Sequence, residues 1–196
     1  MNIAALLDEL RSIAQLGLNY AKDPYDRERY ERLMHLAVTE YASITGLEED
    51  DVSERFKQEL GYVTPKVGCA AGIFNAQGQV LLVKRSDNGR WGLPAGFCEV
   101  NQTPRENMKR EVHEETGFEV EVDALIDVFS VMPGAYGQPN TLYALVFFCK
   151  VIGGTLTPSH ETPIVGYYDH RTIIDWHFDH GQRAERAYQY WLQQSE

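Results

Sequence analysis

The sequence predicts an α+β fold, in which a small all-helical N-terminal domain is followed by an α/β/α sandwich with a mixed sheet. Two observations predict this. Residues 1–62 repeat apolar side chains at helical spacing. After the Thr64-Pro65 linker, short apolar runs bounded by turn residues alternate with one highly charged helical segment. The chain of 196 residues therefore divides into a helical domain over 1–64 and a second domain over 65–196.

Three amphipathic helices are predicted in the first domain. Asp23-Pro24 ends the first and begins the second, and Gly46 ends the second. Their apolar stripes are Leu6, Leu7, Leu10, Ile13, Ala14 and Leu18, then Tyr30, Leu33, Met34, Ala37, Tyr41 and Ile44, then Val52, Phe56 and Leu60. Three short helices cannot bury such stripes alone, so we expect them to pack on one another, on the rest of the chain or on a second subunit.

The second domain contains several predicted strands. Residues 66–74 and 79–85 flank a turn at 75–79 and are predicted to form a hairpin. The remaining elements are strands at 119–131, 141–151 and 164–169, and a terminal helix at 181–194 with Ala184, Ala187, Tyr188 and Trp191 at helical spacing. The domain is therefore of mixed α and β composition.

A charged helix is predicted over residues 104–115. Thr103 followed by Glu106 has the pattern of a capping box, Pro104 suits the first helical position, and Gly117 suits the end. Glu111, Glu114 and Glu115 then project from one face of this helix.

These three acids repel one another, and they lie at the negative end of the helix dipole. A bound divalent cation would reverse this disadvantage, because carboxylates are preferred ligands of Mg²⁺. We therefore predict a metal site at Glu111, Glu114 and Glu115.

Charge and composition exclude several classes of partner. The net charge is −11, which disfavours nucleic acid and anionic membranes, and no run of 18 apolar residues suggests a membrane span. Three widely spaced cysteines favour reduced thiols, so we expect a cytoplasmic protein. His177 and His180 lie three residues apart without evident ligand partners, and we expect surface or helix-capping roles for them.

The segment from Leu93 to Phe118 resembles the Nudix box, whose pattern is G-x5-E-x7-R-E-U-x-E-E-x-G-U, with U a bulky aliphatic residue. Gly96 matches the first glycine, and residues 110–117 (REVHEETG) match the centre, with Phe118 at the last apolar position. Gln102 departs from the pattern, because the family has glutamate there. The preceding segment 91–96 (WGLPAG) is similar to the family's W-x-L-P-G-G.

This resemblance implies hydrolysis of a nucleoside diphosphate linked to another moiety, with Mg²⁺ as cofactor and Mn²⁺ as an alternative. It implies that Glu111, Glu114 and Glu115 hold the metal and that Arg110 orients them. The general base remains open between Glu111 and Glu161. Glu99, just after Gly96, is a further acid that is able to face the same site.

The substrate is predicted from regions outside the box. The helical region resembles a bacterial Nudix subgroup that includes a CDP-choline pyrophosphatase, and this implies a homodimer. Pro133 lies near the position of a proline that is typical of ADP-ribose pyrophosphatases. Arg85, Tyr136 and Phe97 are the candidate contacts to a small nucleotide substrate.

Two alternatives stay open. The first is a ligand sensor in place of an enzyme. Two observations oppose it: every glutamate of REVHEE is retained, and no DNA-binding module is evident. A nuclease acting on RNA ends is the other, and the acidic surface disfavours it.

Overall fold

The structure is a computed structural model that describes residues 2–58, 62–138 and 140–194. It divides into two compact units: residues 1–66 with 131–142, and residues 67–130 with 143–196. Segment 131–142 therefore belongs to the helical unit, although it lies far from that unit in sequence. The domain boundary predicted between residues 64 and 65 assigns this segment to the second domain instead.

The helical unit contains α1 (Ile3–Tyr20), α2 (Pro24–Thr45) and α3 (Glu49–Lys57). Asp23 caps α2 through hydrogen bonds from Tyr25 N and Asp26 N, and Gly46 ends that helix, as predicted. The unit's core is formed by Leu7 of α1, Val38, Tyr41 and Ala42 of α2, and Val52 and Phe56 of α3. The helices therefore bury their apolar stripes largely on one another.

The predicted stripe of α2 is wrong at its end. Ile44 is 43% exposed, while Val38 and Ala42 are buried. The buried face is thus rotated from the predicted one. Leu60, which was assigned to the stripe of α3, lies outside the described residues.

The second unit is a mixed α/β structure around two sheets, with strand orders β4-β1-β6-β5 and β3-β2-β7. The strands are β1 (Lys66–Gly72), β2 (Val80–Lys84), β3 (Trp91–Gly92), β4 (Ala95–Phe97), β5 (Phe118–Val131), β6 (Leu142–Gly154) and β7 (Ile164–Tyr168), and the helices are α4 (Pro104–Thr116) and α5 (His180–Gln194). The prediction of an α+β fold with a helical N-terminal region is confirmed.

Helices α4 and α5 cover opposite faces of the sheet structure. Cys69 and Ala71 of β1 belong to the core cluster that contains Met108 and Val112 of α4. Ala70, between them, belongs to the cluster that contains Ala184 of α5. Since successive side chains of a strand point to opposite faces, both faces of β1 are buried. This explains why the strand reads as a continuous apolar run.

The predicted hairpin of β1 and β2 is only partly present. Leu81 N donates to Ile73 O at 2.8 Å, and Phe74 and Val80 form an isolated bridge next to the turn. Beyond this point the strands separate, because β1 pairs with β4 at Cys69–Gly96 whereas β2 pairs with β7. The turn chemistry was therefore read correctly, but the strands join different sheets.

Candidate active site

Helix α4 positions the acidic residues. Thr103 N donates to Glu106 Oε2 at 2.7 Å, and Glu106 N donates to Thr103 Oγ1 at 3.3 Å, so the capping box is formed. Gly117 ends the helix in the left-handed conformation, with φ of 73°. Met108 and Val112 are fully buried beneath the helix. These contacts fix its rotation, so Glu111, Glu114 and Glu115 lie toward one side.

Glu115 is a buried carboxylate, only 5% exposed. Its Oε2 accepts a hydrogen bond from Ala95 N at 2.9 Å. Burial raises the pKa of Glu115 to about 8; the Ala95 N–H lowers it, and the neighbouring Glu111 raises it further. At neutral pH this side chain therefore holds a proton that a cation is able to replace.

Glu111 packs directly on Gly96. A Cβ atom at position 96 would overlap the carboxyl group of Glu111, so any larger residue there would force this carboxyl group to move. Burial raises the pKa of Glu111, while Arg110 lowers it. Segment 95–96 thus contacts two of the three glutamates. Ala95 N–H donates to Glu115, and Gly96, which has no side chain, leaves room for the carboxyl group of Glu111.

Arg110 is surrounded by carboxylates. Its Nη1 donates to Glu114 Oε2 at 2.6 Å, and its Nη2 donates to Glu111 Oε1 at 2.7 Å. Oε1 of a third carboxylate, Glu99, lies 3.4 Å from Nη2. These acids hold the pKa of Arg110 above its usual value although burial opposes them. The guanidinium group therefore organises the cluster.

Asn107 is a site residue that sequence reasoning missed. It is fully buried, and its Oδ1 accepts from Glu99 N at 2.8 Å and from Arg110 Nη2 at 3.3 Å. Its Nδ2 donates to Thr103 O at 3.2 Å. The spacing offered a signal, because Asn107 lies four residues before Glu111 and shares its helix face.

Glu161 lies in a loop that is held against α4. Thr162 Oγ1 donates to Glu115 O at 2.6 Å, and Ser86 N donates to Glu161 O at 2.8 Å. The charge of Glu161 raises the pKa of both Glu111 and Glu115. The structure thus brings Glu161 into electrostatic reach of the α4 carboxylates. Thr162, which is buried and anchors this loop, was not predicted.

The candidate substrate contacts lie in different places. Arg85 makes a two-pronged ion pair with Asp87 at 2.8 and 3.0 Å, and the charges of Glu115 and Glu161 act on it. Phe97, on β4, is 60% exposed beside Gly96. Tyr136 is 51% exposed and belongs to segment 131–142 of the helical unit. Arg85 is therefore grouped with the α4 carboxylates, and Tyr136 lies in the other unit.

Pro133 also belongs to segment 131–142. It lies in a turn in which Ala135 N donates to Met132 O at 3.0 Å, and its carbonyl accepts a hydrogen bond from Asn2. The structure therefore gives Pro133 a local role in the turn.

His180 is buried, so the expectation of a surface position for it is wrong. Its Nδ1 accepts a hydrogen bond from Leu93 N at 3.0 Å, and burial keeps its pKa well below the usual value. Pro94 O, on the next residue, accepts from Ala71 N at 2.9 Å. His180 thus holds the segment that leads to Ala95 and Gly96. The spacing of His177 and His180 gave no sequence signal for this role.

The donor set fits a hard divalent cation. Glu111, Glu114 and Glu115 supply carboxylate oxygens, and burial raises the pKa of Glu115 because the surrounding protein does not fully compensate a charge there. Within the described ranges, no three His, Cys, Asp or Glu side chains form a closed ligand set. Arg110 pairs with one oxygen of Glu111 and one of Glu114, so a metal at these carboxylates would compete with it.

Comparisons with known proteins agree with this geometry. The family model of the NUDIX domain matches residues 64–188, and the model described as UDP-X-like, N-terminal oligomerisation domain matches residues 1–56. A provisionally named ADP-ribose pyrophosphatase of Bacillus subtilis is 34% identical over 160 residues, which cover 81% of this chain and 76% of the relative.

Two further relatives support the same family. An ADP-ribose pyrophosphatase of Methanocaldococcus jannaschii is 32% identical over 133 residues, covering 66% of this chain and 76% of the relative. A crystal structure of a UDP-X diphosphatase superposes with a TM-score of 0.61 at 29% identity, covering 96% of this chain and 93% of that one.

None of the helices in the described part of the chain combines the length and the apolar composition that a membrane span needs.

Proposed function

The chain belongs to the NUDIX domain family and is a Nudix hydrolase, and we propose that it uses Mg²⁺ to hydrolyse the pyrophosphate bond of a nucleoside diphosphate linked to another moiety. The observation that carries this proposal is the grouping of the three α4 glutamates: Glu111 and Glu115 contact segment 95–96, and Glu114 joins Glu111 through Arg110. Diphosphate hydrolysis needs positioning and charge neutralisation more than covalent help from the protein.

Glu111, Glu114 and Glu115 would hold the cation, with Mn²⁺ as a substitute for Mg²⁺. A divalent cation at these carboxylates supplies positive charge to the diphosphate and acidifies the attacking water. Ala95 N–H orients Glu115, and Arg110 orients Glu111 and Glu114. Arg85, near Glu115 and Glu161, is the proposed phosphate contact, and its ion pair with Asp87 sets its direction.

Glu161 is our first choice for the general base, and Glu111 is the second. Glu161 lies on a loop fixed to α4 by Thr162, and its side chain is mostly exposed. Its carboxylate is therefore accessible to a water molecule, whereas the carboxylate of Glu111 accepts a hydrogen bond from Arg110 and packs on Gly96. A Glu161→Gln variant that loses kcat but keeps its metal affinity would support this choice.

Two substrate classes are proposed. ADP-ribose-like compounds are favoured by the names of the two pyrophosphatase relatives, and UDP- or CDP-linked compounds such as CDP-choline by the match of residues 1–56 to a UDP-X-like domain. Phe97, an exposed aromatic residue beside Gly96, is the proposed contact to the base.

The test is a hydrolysis panel with ADP-ribose, CDP-choline and UDP-sugars, in Mg²⁺ and in chelator, with the products identified. Release of AMP from ADP-ribose at the highest kcat/KM supports the first class, and release of CMP or UMP supports the second. The absence of turnover of every compound, combined with tight nucleotide binding, would replace the enzyme proposal by the sensor alternative.

We also propose that the protein is a cytoplasmic homodimer formed through the helical unit. Residues 1–56 match an oligomerisation domain, and the free cysteines Cys69, Cys98 and Cys149 agree with a reducing compartment. Light scattering of the full chain measures the mass directly. A monomer at micromolar concentration would contradict the dimer.

A further inference from the structure

The two terminal guanidinium nitrogens of Arg110 have different sets of partners. Nη1 donates to Glu114 Oε2 at 2.6 Å. Nη2 donates to Glu111 Oε1 at 2.7 Å and to Asn107 Oδ1 at 3.3 Å, and it forms an ion pair with Glu99 Oε1 at 3.4 Å. The two hydrogen atoms of Nη2 are thus directed at Glu111 and Asn107, and Glu99 adds a nearby charge.

Two of the partners of Arg110, Glu111 and Glu114, are residues that the proposed function assigns to the metal. When Glu111 and Glu114 bind a cation, that cation competes with Arg110 for their carboxylate oxygens. Glu99 is different, because it lies on the loop before α4. It is therefore the carboxylate that remains available to Arg110.

The loop holds Glu99 by both its backbone and its side chain. Glu99 N donates to the buried Asn107 at 2.8 Å. Of its carboxylate oxygens, Oε1 faces Arg110, and Oε2 accepts from Gln102 Nε2 at 3.3 Å. The carboxylate of Glu99 thus bridges Gln102 and Arg110.

This bridge explains why an amide suits position 102. A glutamate there would place a second negative charge next to Glu99, and like charges at that distance repel. Glutamine instead donates a hydrogen bond to Glu99. The pair of residues 99 and 102 therefore supplies one carboxylate and one amide, with the charge on Glu99.

We propose that Glu99 is a positioning residue that retains Arg110 while Glu111 and Glu114 bind the metal, and that it supplies the charge that the Nudix pattern places at position 102. The proposal rests on the proposed function. It predicts that loss of the Glu99 charge leaves Arg110 in competition with the metal, so that metal binding weakens.

The test measures Mn²⁺ affinity by calorimetric titration, together with the Mg²⁺ dependence of hydrolysis. Glu99→Gln should weaken Mn²⁺ binding about three- to fivefold, the upper part of the range for an exposed ion pair. It should raise the Mg²⁺ concentration for half-maximal rate by a similar factor, while kcat at saturating Mg²⁺ stays the same. A misfolded site would lower kcat at every Mg²⁺ concentration.

Two further variants make the test specific. Glu121→Gln removes the same charge from the exposed side of β5 and should leave Mn²⁺ affinity unchanged. The double variant Glu99→Gln with Gln102→Glu inverts the pair and should restore most of the affinity.

Wild-type affinity in Glu99→Gln, an equal loss in Glu121→Gln, or no recovery in the double variant would each overturn the proposal. Failure of the proposed function is distinct, because the wild-type protein itself would then neither bind Mn²⁺ nor hydrolyse any substrate.

Discussion

Helices α3 and α4 place their charges in opposite ways. In α3 the acids Glu49, Asp50 and Asp51 lie in the first turn, and the bases Arg55 and Lys57 lie in the last. This order matches the helix dipole, so each charge stabilises the helix. In α4 the acids Glu114 and Glu115 lie in the last turn, where the dipole disfavours them.

The difference distinguishes residues that stabilise a helix from residues that the helix presents to a ligand. Helix α4 begins with a capping box, ends at Gly117 and buries Met108 and Val112, so its stability does not depend on the charges of its last turns. Its carboxylates oppose folding, as the raised pKa of Glu115 indicates. The charges of α3 have a local structural role, and those of α4 are explained by a ligand.

The largest expected effect is on catalysis. Glu115→Gln and Glu114→Gln should each lower kcat/KM by on the order of 10²- to 10³-fold, because each removes a carboxylate proposed to bind the metal. The variants should unfold cooperatively like the wild type in thermal denaturation. Near wild-type kcat/KM in both variants would exclude the metal assignment.

The second effect tests how segment 93–96 is held. His180→Leu leaves the Leu93 N–H buried without an acceptor and should destabilise the protein by about 1–3 kcal/mol. Because Ala95 N orients Glu115, kcat/KM should fall about tenfold in addition. His180→Asn keeps an acceptor near the Nδ1 position and is the matched control. Equal rates in the Leu variant and the wild type would show that Leu93 does not need this anchor.

The third effect is on the pH dependence of stability without metal. Folded Glu115 has a raised pKa of about 8, and the unfolded residue has an ordinary one of about 4.3. The unfolded state therefore releases this proton first, and stability is lost as pH rises between these values. Glu115→Gln cannot ionise, so it should exceed the wild type in free energy of unfolding by on the order of 2–4 kcal/mol at pH 9, and by less at pH 5.

Urea denaturation in chelator at pH 5 and pH 9 measures this difference. A constant difference between the two proteins across that range would mean that Glu115 is not a buried, protonated carboxylate in the metal-free protein.

The smallest effect belongs to α3. Asp51→Asn removes one favourable charge from the first turn and should lower the free energy of unfolding by about 0.3–1 kcal/mol. Hydrolysis should remain unchanged, since α3 is part of the helical core only. A large loss of activity in Asp51→Asn would contradict the division of roles between α3 and α4.

Local signals in the sequence predicted much of this molecule. Thr103, Pro104, Glu106 and Gly117 defined α4 to within one residue, because capping depends on neighbours in the chain. Asp23 and Gly46 likewise marked the ends of α2. The grouping of the α4 acids followed from helical spacing alone.

Features that depend on distant residues were missed. The separation of β1 from β2 is decided by β4 and β7, which compete for their edges. Strands β3 and β4 are only two and three residues long, too short for a period to be detected. Asn107 and His180 are polar residues whose burial depends on partners elsewhere in the fold, the loop before α4 and the segment that follows β3.

The central claim is that a divalent cation compensates the carboxylates that α4 places at its unfavourable end. The most direct measurement is the thermal unfolding midpoint of the wild type and of Glu115→Gln at pH 8, with and without millimolar Mg²⁺. A ligand that binds only the folded state raises this midpoint. We predict a rise of several degrees in the wild type and little change in the variant. The same shift in both proteins, or none in the wild type, would contradict the claim.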